Sequence, residues 1–543
     1  MTRFPQRCFL ALCSTLFAGC QSAPRAVSAA NQIPASSLGE PNAPQPPSLI
    51  VLITIDQMRG DYLDRFGPQL RGGLARLARG GAWFANAHHD HAITETAPGH
   101  ATLLSGRFPR STGIMANRYG VEDTAARLLG DIASPGASPR RFQGTELFDW
   151  LRSKDPNSRA LSVSMKDRGA ILPIGRSRTD VYWYVPNGDF TTSRYYRDTL
   201  PEWVKSFNAR RAPRSFAGRS WTPLLADSLY KERDSVAVEH AGTDFMFPHR
   251  FPVDSAGAAS YVRTTPWMDE ITLALALDGV HALSLGEGRR TDLLAISLSA
   301  TDYIGHSYGP DSKEMHDNIL RLDRSLGAFF DSLYKVRDSL RIAIVLSGDH
   351  GAGTIPELAP KSMSPQPVRI DAAVLASSLR GILSTFRIDT TLVELDQQIV
   401  VVDPTIVRTR KAGLDSALTL FAQQTRRMPG IARVDRFEDL LRGDTINDPI
   451  ARRWTHQFPA ETNVKMVITQ TPLSIFGTIV ATHGSPYDYD SNVPIVFYGE
   501  WFVPGRYPEF VRTVDIAPTL AAIAGVRPGE RLDGVVLRRA IRQ

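Results

Sequence analysis

Apolar runs alternate with amphipathic stretches along most of the chain, which is the pattern of strands followed by helices. Several runs are apolar almost throughout, as in strands buried on both faces of a parallel sheet: 48–55, 159–165, 293–298, 341–346 and 493–498. Apolar residues recur three and four positions apart over 313–337, which predicts a long helix. Shorter helices are predicted at 69–79, 145–153 and 513–524. Together these elements predict an α/β fold with a doubly wound, mostly parallel sheet and helices on both faces.

Two stretches interrupt this alternation. Residues 173–264 are rich in aromatic residues, arginine and turn formers. Residues 358–468 hold a strand-like apolar run and a helix-like segment at 414–426. We interpret both as insertions that cap the active edge of the sheet, within a catalytic domain that spans 48–543.

The N-terminus has the features of an export signal. Arg3 and Arg7 precede a short apolar stretch, 9–17, which is too short to span a bilayer as a helix. Small residues before Cys20 favour a bacterial lipoprotein signal over 1–20, with a lipid anchor at Cys20; the alternative is a plain secretory signal cleaved within 27–30. Residues 21–47 are rich in proline, alanine and serine, and are predicted to be a disordered linker. We therefore expect an exported protein, periplasmic or anchored in the outer membrane of a bacterium.

Charge and cysteine content narrow the function. A formal charge of +6 over 543 residues gives no reason to expect nucleic acid as a dedicated partner. The three cysteines, Cys8, Cys13 and Cys20, all lie in the N-terminal segment. The domain that follows therefore has neither disulfide nor thiolate, and it would have to bind metal through histidine and carboxylate.

Six residues of metal-binding type lie in four short segments, most of them directly after a predicted strand: Asp56, Asp302, His306, Asp349, His350 and His483. Taken singly, each has an ordinary role as a helix cap, a loop residue or a hydrogen-bonded histidine. Strand ends converge on one edge of an α/β sheet, however, so distant segments can build one site there. Two sets of three ligands suit a two-metal centre, and the histidine share with export favours zinc over manganese or iron.

Four further residues carry candidate chemistry. Pro98 is tolerated in the first turn of a helix, so a helix is predicted to start near residue 97, with Thr96 at its N-cap. Thr96 is then either a common cap or a nucleophile whose alkoxide a metal and the helix dipole would stabilise. Lys166 and Arg168 lie two apart in a predicted extended segment, so they point to one side and could clamp an anion to which Asn117 donates its amide. The ordinary interpretation is a solvated charged face and a turn residue.

In these residues the chain resembles the alkaline phosphatase superfamily. The order of the candidate site residues matches, and the closest resemblance is to bacterial alkaline phosphatases of the PafA type, the phosphate-irrepressible enzymes. Five segments carry it: I-D-Q-M-R-G-D-Y-L, T-A-P-G-H-A-T, G-I-M-A-N-R, S-G-D-H-G-A and T-V-D-I-A-P-T-L-A. The resemblance runs from about residue 48 to the C-terminus and is weakest in the insertions.

The resemblance implies two Zn²⁺ sites and hydrolysis of phosphate monoesters through a phosphothreonine. One site would use Asp302, His306 and His483; the other would use Asp56, Asp349, His350 and Thr96. Asn117, Lys166 and Arg168 would bind the phosphate oxygens. The motif T-A-P-G-H lacks the arginine of sulfatases, and the histidine-rich run 88–91 maps outside the ligands, so we interpret it as a loop.

Two alternatives to the monoesterase stay open at this point. One is a phosphodiesterase or nucleotide pyrophosphatase of the same superfamily. The other is a lipoprotein that binds metal or phosphate without turnover. The Lys166 and Arg168 pair favours a monoester, because a monoester presents more terminal charge than a diester.

Overall fold

The computed structural model describes residues 44–130, 134–409 and 411–543. The predicted signal, 1–20 with Cys20, and residues 21–43 of the predicted linker lie outside the described residues.

The strands are, in chain order, β1 Leu49–Ile55, β2 Ala82–His88, β3 Ala160–Ser164, β4 Asp180–Tyr184, β5 Phe190–Thr191, β6 Ser220–Trp221, β7 His249–Arg250, β8 Asp292–Leu298, β9 Ile342–Gly348, β10 Arg369–Ile370, β11 Val393–Asp396, β12 Ile399–Val402, β13 Ile431–Arg436, β14 Val464–Gln470, β15 Ile475–Phe476, β16 Asn492–Tyr498, β17 Gly505–Tyr507 and β18 Val511–Arg512.

The helices are α1 Tyr62–Arg65, α2 Gly73–Gly80, α3 Thr96–Leu103, α4 Pro109–Thr112, α5 Leu147–Lys154, α6 Asp167–Ile171, α7 Glu202–Ala209, α8 Ser255–Tyr261, α9 Trp267–Ala282, α10 Ala300–Tyr308, α11 Lys313–Val336, α12 Ala372–Thr385, α13 Pro404–Thr409, α14 Lys411–Thr425, α15 Phe437–Leu440, α16 Pro449–Gln457, α17 Asp488–Ser491 and α18 Ile516–Ala524. No helix in the described part of the chain has the length and apolar character needed to cross a bilayer.

A large central sheet organises the molecule, with the strand order β17-β2-β16-β9-β1-β8-β3-β4-β5 and β18 paired to β2. The inner strands β9, β1, β8, β3 and β4 run parallel to one another. Strand β16 is antiparallel to both β9 and β2, so β2 points the same way as the inner strands. The predicted α/β fold with a mostly parallel sheet is confirmed.

Helices cover both faces of this sheet, as the doubly wound prediction requires. The side chains of β1 alternate between two cores: Val51 and Ile53 pack toward α2, α9 and α11, whereas Ile50 and Leu52 pack toward α3, α5 and α18. All seven residues of β1 are buried, because both neighbouring strands and both helix layers enclose it. The long helix predicted over 313–337 is confirmed as α11, and the side chain of Ser312 caps it by accepting a hydrogen bond from the Met315 N–H.

The first predicted insertion differs from the structure at its start. Residues 180–184 form β4, which pairs with β3 in the central sheet, and β5 extends the same edge. The sequence of β4, D-V-Y-W-Y, is aromatic and lies among turn formers, so it lacks the aliphatic run that marked the other strands. The rest of this stretch packs on the α9–α11 side of the sheet through Trp221 and Phe251.

The second predicted insertion, 358–468, builds a sheet of its own, β11-β12-β14-β13, with α12 and α14 against it. A small apolar cluster connects it to the segments around Thr96, because Trp454 and Phe437 pack with Ile93 and Ala116. The insertion therefore borders the carboxyl edge of the central sheet.

Candidate active site

The candidate site is built where β1, β8 and β9 end side by side. Ile55, the last residue of β1, lies opposite Leu298 of β8 and Gly348 of β9. Asp56 and Asp349 directly follow their strands, and Asp302 lies in the first turn of α10, just after β8. All three carboxylates are buried. The chain thus brings together carboxyl groups that are almost 300 positions apart in sequence, as the convergence of strand ends predicts.

The three predicted histidine ligands surround these carboxylates. His306 Nε2 lies 3.2 Å from Asp302 Oδ1, one helical turn away on α10, and His483 Nε2 lies 3.4 Å from the same oxygen. His350 Nε2 lies 3.4 Å from Asp56 Oδ1, and its ring stacks on His483 with centroids 3.5 Å apart. Two groups of ligand atoms therefore lie close enough to hold a metal ion each: Asp302, His306 and His483, and Asp56, Asp302 and His350.

The tautomer of each histidine follows from its second nitrogen. The Nδ1 atoms of His306, His350 and His483 lie 2.8, 3.0 and 2.8 Å from the carbonyl oxygens of Ala481, Gly351 and Thr94, respectively. A carbonyl can only accept, so each Nδ1 carries the proton and donates. In the neutral form of each ring, Nε2 then offers its lone pair, as in metal-binding histidines.

Orphaned polar atoms show that the residues present fit a cation. Asp56 Oδ1, Asp349 Oδ2 and His350 Nε2 are buried and have no hydrogen-bond partner among the described residues. His100 lies 3.2 Å from Asp349 Oδ2, yet its Nδ1 proton goes to the carbonyl of Thr96 at 2.9 Å. Burial, together with the charges of Asp302 and Asp349, raises the pKa of Asp56 well above its usual value. A divalent ion would relieve both the unpaired atoms and the crowded negative charge.

Among the aspartates and histidines, the second group of ligand atoms differs in one member from the predicted set. Asp302 joins Asp56 and His350, whereas Asp349 lies 3.6 Å from His350 Nε2 and stands outside that group. Gln57, which sequence reasoning missed, bridges the two halves: its backbone N–H donates to Asp349 Oδ1 at 3.1 Å and its side chain donates to Asp302 Oδ1 at 3.0 Å. The assignment of Asp349 as a zinc ligand remains a prediction.

Thr96 lies one residue away from its predicted position. Helix α3 begins at Thr96, and the extended residue Glu95, with φ −117°, is the N-cap, so the predicted N-cap role for Thr96 is wrong. The pattern placed the helix start from Pro98, which tolerates either position. Because the hydroxyl of Thr96 does not cap the helix, it is left for chemistry, and it lies 3.4 Å from the Lys166 ammonium. This contact joins the candidate nucleophile to the carboxylate cluster.

A glycine brings α3 against the end of β9. A Cβ atom at Gly99 would lie 2.1 Å from the carbonyl oxygen of Asp349. Only glycine permits this distance, and the close approach sets Thr96 beside the ligands. Gly99 lies in the motif T-A-P-G-H, but the sequence alone did not predict this close approach.

Lys166 and Arg168 reach the site by a different geometry from the one predicted. Lys166 is extended, as predicted, but it is the N-cap of α6 and Arg168 lies within that helix, so the prediction is wrong for Arg168. The Lys166 ammonium nevertheless lies 2.6 Å from Asp56 Oδ2 and 2.5 Å from Asp302 Oδ2. Burial lowers the pKa of Lys166, but the charges of Asp302 and Asp56 outweigh burial and raise the pKa above its usual value, so the group stays an ammonium.

One cavity of about 340 Å³ gathers the predicted anion-binding groups, since Asn117, Lys166 and Arg168 all line it together with Tyr303 and Arg263. Arg168 Nε is buried and has no acceptor among the described residues.

Asn117 is oriented by two hydrogen bonds. Its Oδ1 accepts the Ala97 N–H at 2.9 Å, which leaves the amide NH₂ group to donate elsewhere. Its own N–H donates to Glu95 Oε2 at 2.6 Å. Glu95, missed from sequence, therefore fixes the position of the predicted amide donor beside Thr96.

The histidine-rich run 88–91 takes no part in either ligand group of the described residues. His88 ends β2, so the run is only partly the predicted loop. His89 Nε2 bonds to the carbonyl oxygen of Gly348 at 2.9 Å, directly before Asp349. His89 therefore contacts the backbone directly before the candidate ligand Asp349.

This fold and site define a class of α/β proteins with candidate metal ligands at the carboxyl ends of a central, mostly parallel sheet. A sequence model of the type I phosphodiesterase / nucleotide pyrophosphatase family matches residues 50–366, a span that includes every candidate site residue except His483. The chain belongs to this family.

Similar proteins point to one branch of it. Alkaline phosphatase PhoV of Synechococcus elongatus is 31% identical over 508 residues, which cover 89% of this chain and 90% of PhoV. Alkaline phosphatase PafA of Elizabethkingia meningoseptica is 28% identical over 509 residues, which cover 90% of this chain and 93% of PafA. The crystal structure of wild-type PafA matches with a TM-score of 0.83 and 27% identity, over 92% of this chain and 100% of that chain. The resemblance to PafA-type alkaline phosphatases, and with it the class of phosphoric monoester hydrolases, is confirmed.

Proposed function

We propose that this protein is an exported, zinc-dependent phosphomonoesterase that works through a phosphothreonine at Thr96. The position of Lys166 carries the proposal. Its ammonium contacts the Thr96 hydroxyl at 3.4 Å and the carboxylates of Asp56 and Asp302 at 2.6 and 2.5 Å. It also lines the cavity that holds Asn117 and Arg168. One cation thus joins the nucleophile, the metal ligands and the phosphate pocket.

The relatives favour turnover over passive binding. Three similar proteins, PhoV, PafA and PhoK, are named as alkaline phosphatases, and each aligns over about nine tenths of this chain. The alternative of a lipoprotein that binds metal or phosphate without turnover has no counterpart among them.

Three aspartates and three histidines without sulfur favour two Zn²⁺ ions. Asp302, His306 and His483 would hold one ion; Asp56, His350, Asp349 and Thr96 would hold the other. When bound, zinc would lower the pKa of the Thr96 hydroxyl and stabilise charge on the leaving oxygen. In the structure, Asp302 also lies close to Asp56 and His350 of the second set. Metal analysis of single variants would decide whether Asp302 or Asp349 binds the second ion.

The residues of the chain supply the rest of the reaction. Lys166, Arg168 and Asn117 donate hydrogen bonds to the non-bridging phosphoryl oxygens and hold phosphorus in line with Thr96 Oγ1. Thr96 Oγ1 gives its proton to solvent water and attacks phosphorus as the bond from phosphorus to the ester oxygen breaks, and the leaving oxygen takes a proton from water and departs as the alcohol. Water then cleaves the phosphothreonine, which releases inorganic phosphate and returns the hydroxyl of Thr96.

Diester hydrolysis is the second candidate, because the matching family model is named for phosphodiesterases. A diester has one non-bridging charge fewer and carries a second organic group. Two cations, Lys166 and Arg168, line the cavity that would receive that group. The positive charge of these two side chains favours the monoester, which carries more negative charge than a diester.

The test compares p-nitrophenyl phosphate with bis-p-nitrophenyl phosphate on one zinc-loaded preparation. We expect kcat/KM for the monoester to exceed that for the diester by orders of magnitude. The Thr96→Ala variant should lose nearly all monoester activity and keep its zinc. A faster diester reaction would reject the monoesterase, and an active, zinc-loaded Thr96→Ala variant would reject the nucleophile.

We also propose export, with Cys20 as a lipid anchor. In a bacterial host, the full chain should fractionate with membranes, and the Cys20→Ser variant should lose that association. A protein found in the soluble periplasm whether or not Cys20 is present would instead support the plain secretory signal.

A further inference from the structure

A second cationic cavity lies at the same edge of the central sheet, beyond β2 and β18. Its volume is about 610 Å³. Four arginines line it against a single carboxylate, and the remaining lining residues include one histidine and one phenylalanine: Arg110, Arg452, Arg512, Arg531, Asp533, His456 and Phe108. Neither the metal ligands nor the residues around Thr96 contribute to it.

A buried carboxylate beneath the cavity fixes two of the arginines. Arg452 Nε lies 3.1 Å from both oxygens of Asp90, and Arg512 Nε lies 3.1 Å from Asp90 Oδ2. Asp90 is almost fully buried. Each arginine therefore donates its Nε–H to Asp90. The terminal NH₂ groups of both arginines have no acceptor in the described part of the chain.

The remaining charged and polar groups that line the cavity are mostly hydrogen-bond donors. Arg110 is shared between Asp533 Oδ1 and the Thr455 carbonyl oxygen, both at 3.2 Å. Arg531 is exposed and pairs with no carboxylate of the described residues. His456 donates from Nδ1 to the Asp90 carbonyl oxygen at 2.7 Å and stacks on Phe108.

This cavity shares no lining residue with the cavity that contains Asn117, Lys166 and Arg168. Strands β9 and β2 are two positions apart in the sheet, a distance of about 10 Å. His91 and Ile93, which follow β2 in the chain, are buried, and the Ile93 N–H donates to Gln457 Oε1 at 2.8 Å. The cavity is therefore a site of its own and not an extension of the substrate pocket, which lies on the α6 side of Thr96.

We propose that this arginine cavity binds an oligophosphate, an anion with two or more phosphoryl groups. Guanidinium forks match phosphoryl oxygens in pairs, and their positions are set in advance by Asp90 and Asp533. The cavity is far larger than one phosphate ion needs, and four guanidinium groups exceed what one dianion requires. The inference does not depend on Thr96 being the nucleophile.

Calorimetric titration of the Thr96→Ala protein with sodium tripolyphosphate tests the site without turnover. Arg531 is the residue to change, because it is exposed and its loss leaves no buried charge unpaired. Arg531→Gln should weaken binding about tenfold, which is the usual worth of one charge-assisted contact, and Arg531→Lys should weaken it less. Arg427→Gln, a change of an exposed arginine in the second insertion, is the matched control and should bind as the parent does.

Two further arms locate the site and its ligand. The same binding event should persist when Lys166 and Arg168 are both changed to alanine, since those residues belong to the other cavity. Chelation of bound metal is common to the parent, Arg531→Gln and Arg427→Gln proteins and cancels in that comparison. Equal affinity of the Arg531→Gln and Arg427→Gln proteins would overturn the proposal. Arg531-dependent sedimentation with phosphatidylglycerol vesicles, without any effect on tripolyphosphate binding, would overturn it in favour of a lipid surface.

Discussion

At the residue scale, Lys166 contacts two of the candidate metal ligands and also lines the candidate phosphate pocket. In the structure its ammonium lies between Asp56 and Asp302. Arg168 faces the same cavity with its Nε unpaired. Under the proposed function, both cations would bind the terminal phosphoryl oxygens of a monoester, which carry its negative charge.

We predict that the double change Lys166→Ala and Arg168→Ala lowers monoester kcat/KM by at least two orders of magnitude, because each charge-assisted bond to a phosphoryl oxygen contributes about 1.5–3 kcal/mol. Diester kcat/KM should fall much less. Steady-state rates on the two p-nitrophenyl substrates measure both effects. Equal losses on the two substrates would show that the pair is structural.

Gln57 is a positioning residue between the two ligand groups. Its backbone has φ 65°, in the left-handed region, which holds both its N–H and its side chain on Asp349 and Asp302. We predict that Gln57→Ala weakens zinc affinity about 10–100-fold, the usual effect of losing such a supporting contact. Activity should return when zinc is raised in a titration, which a misfolded protein would not show. An unchanged zinc affinity would remove Gln57 from this role.

At the element scale, the contact of α3 with β9 decides where Thr96 lies. Gly99→Ala would drive a Cβ atom against the Asp349 carbonyl oxygen and push α3 away from the ligands. We predict a loss of about 1–3 kcal/mol in the free energy of unfolding, as for overpacked core sites, together with a large loss of activity.

Another helical glycine offers the matched control for this change. A Cβ atom at Gly381 in α12 meets nothing within 4 Å, so Gly381→Ala should be neutral or stabilise by about 0.5–1 kcal/mol. Urea unfolding and monoester rates of the two variants make the comparison. Similar behaviour of both would mean that the close approach of α3 does not matter.

The elements themselves show what sequence alone can predict. The strands β1, β3, β8, β9 and β16 were readable because aliphatic runs bury both faces, and their ends located Asp56, Asp302 and Asp349. The local conformation at Thr96 and at 166–168 was not readable, because a helix start is uncertain by a residue or two and tertiary contacts settle it. Strand β4 was missed since its residues are aromatic.

At the scale of the whole molecule, some residues contact the candidate site from segments far away in sequence. No local sequence pattern predicts these contacts. Gln57 and His100 act through segments that meet only in the folded chain, so no spacing in the sequence predicts their contacts. The ligand types were readable, whereas the sharing of Asp302 between the two ligand groups required coordinates.

Stability of the whole domain should depend on pH through Asp269. Burial raises its pKa from 3.8 to about 7, against the opposing hydrogen bonds from the backbone of Ala300 and Ser299. The unfolded chain releases this proton near pH 4 and the native protein only near pH 7, so the native state loses stability as pH rises between these values and then levels off.

We predict that Asp269→Asn, which keeps an acceptor for the Ala300 N–H, gains stability over the parent by on the order of 4 kcal/mol between pH 4 and pH 8. The difference in free energy of unfolding, measured in urea at several pH values, should be smallest near pH 4 and constant above pH 8. A difference that does not change with pH would show that Asp269 ionises alike in both states.

The central claim is that the buried carboxylates and histidines activate one threonine. The most direct measurement is an acid quench of the zinc-loaded enzyme during turnover of a phosphate monoester, followed by mass spectrometry of the peptide that contains Thr96. We predict one added phosphoryl group on Thr96, absent from the Thr96→Ala protein and from the zinc-free enzyme. Sustained turnover with no phosphate on Thr96, or with phosphate on another residue, would contradict the claim.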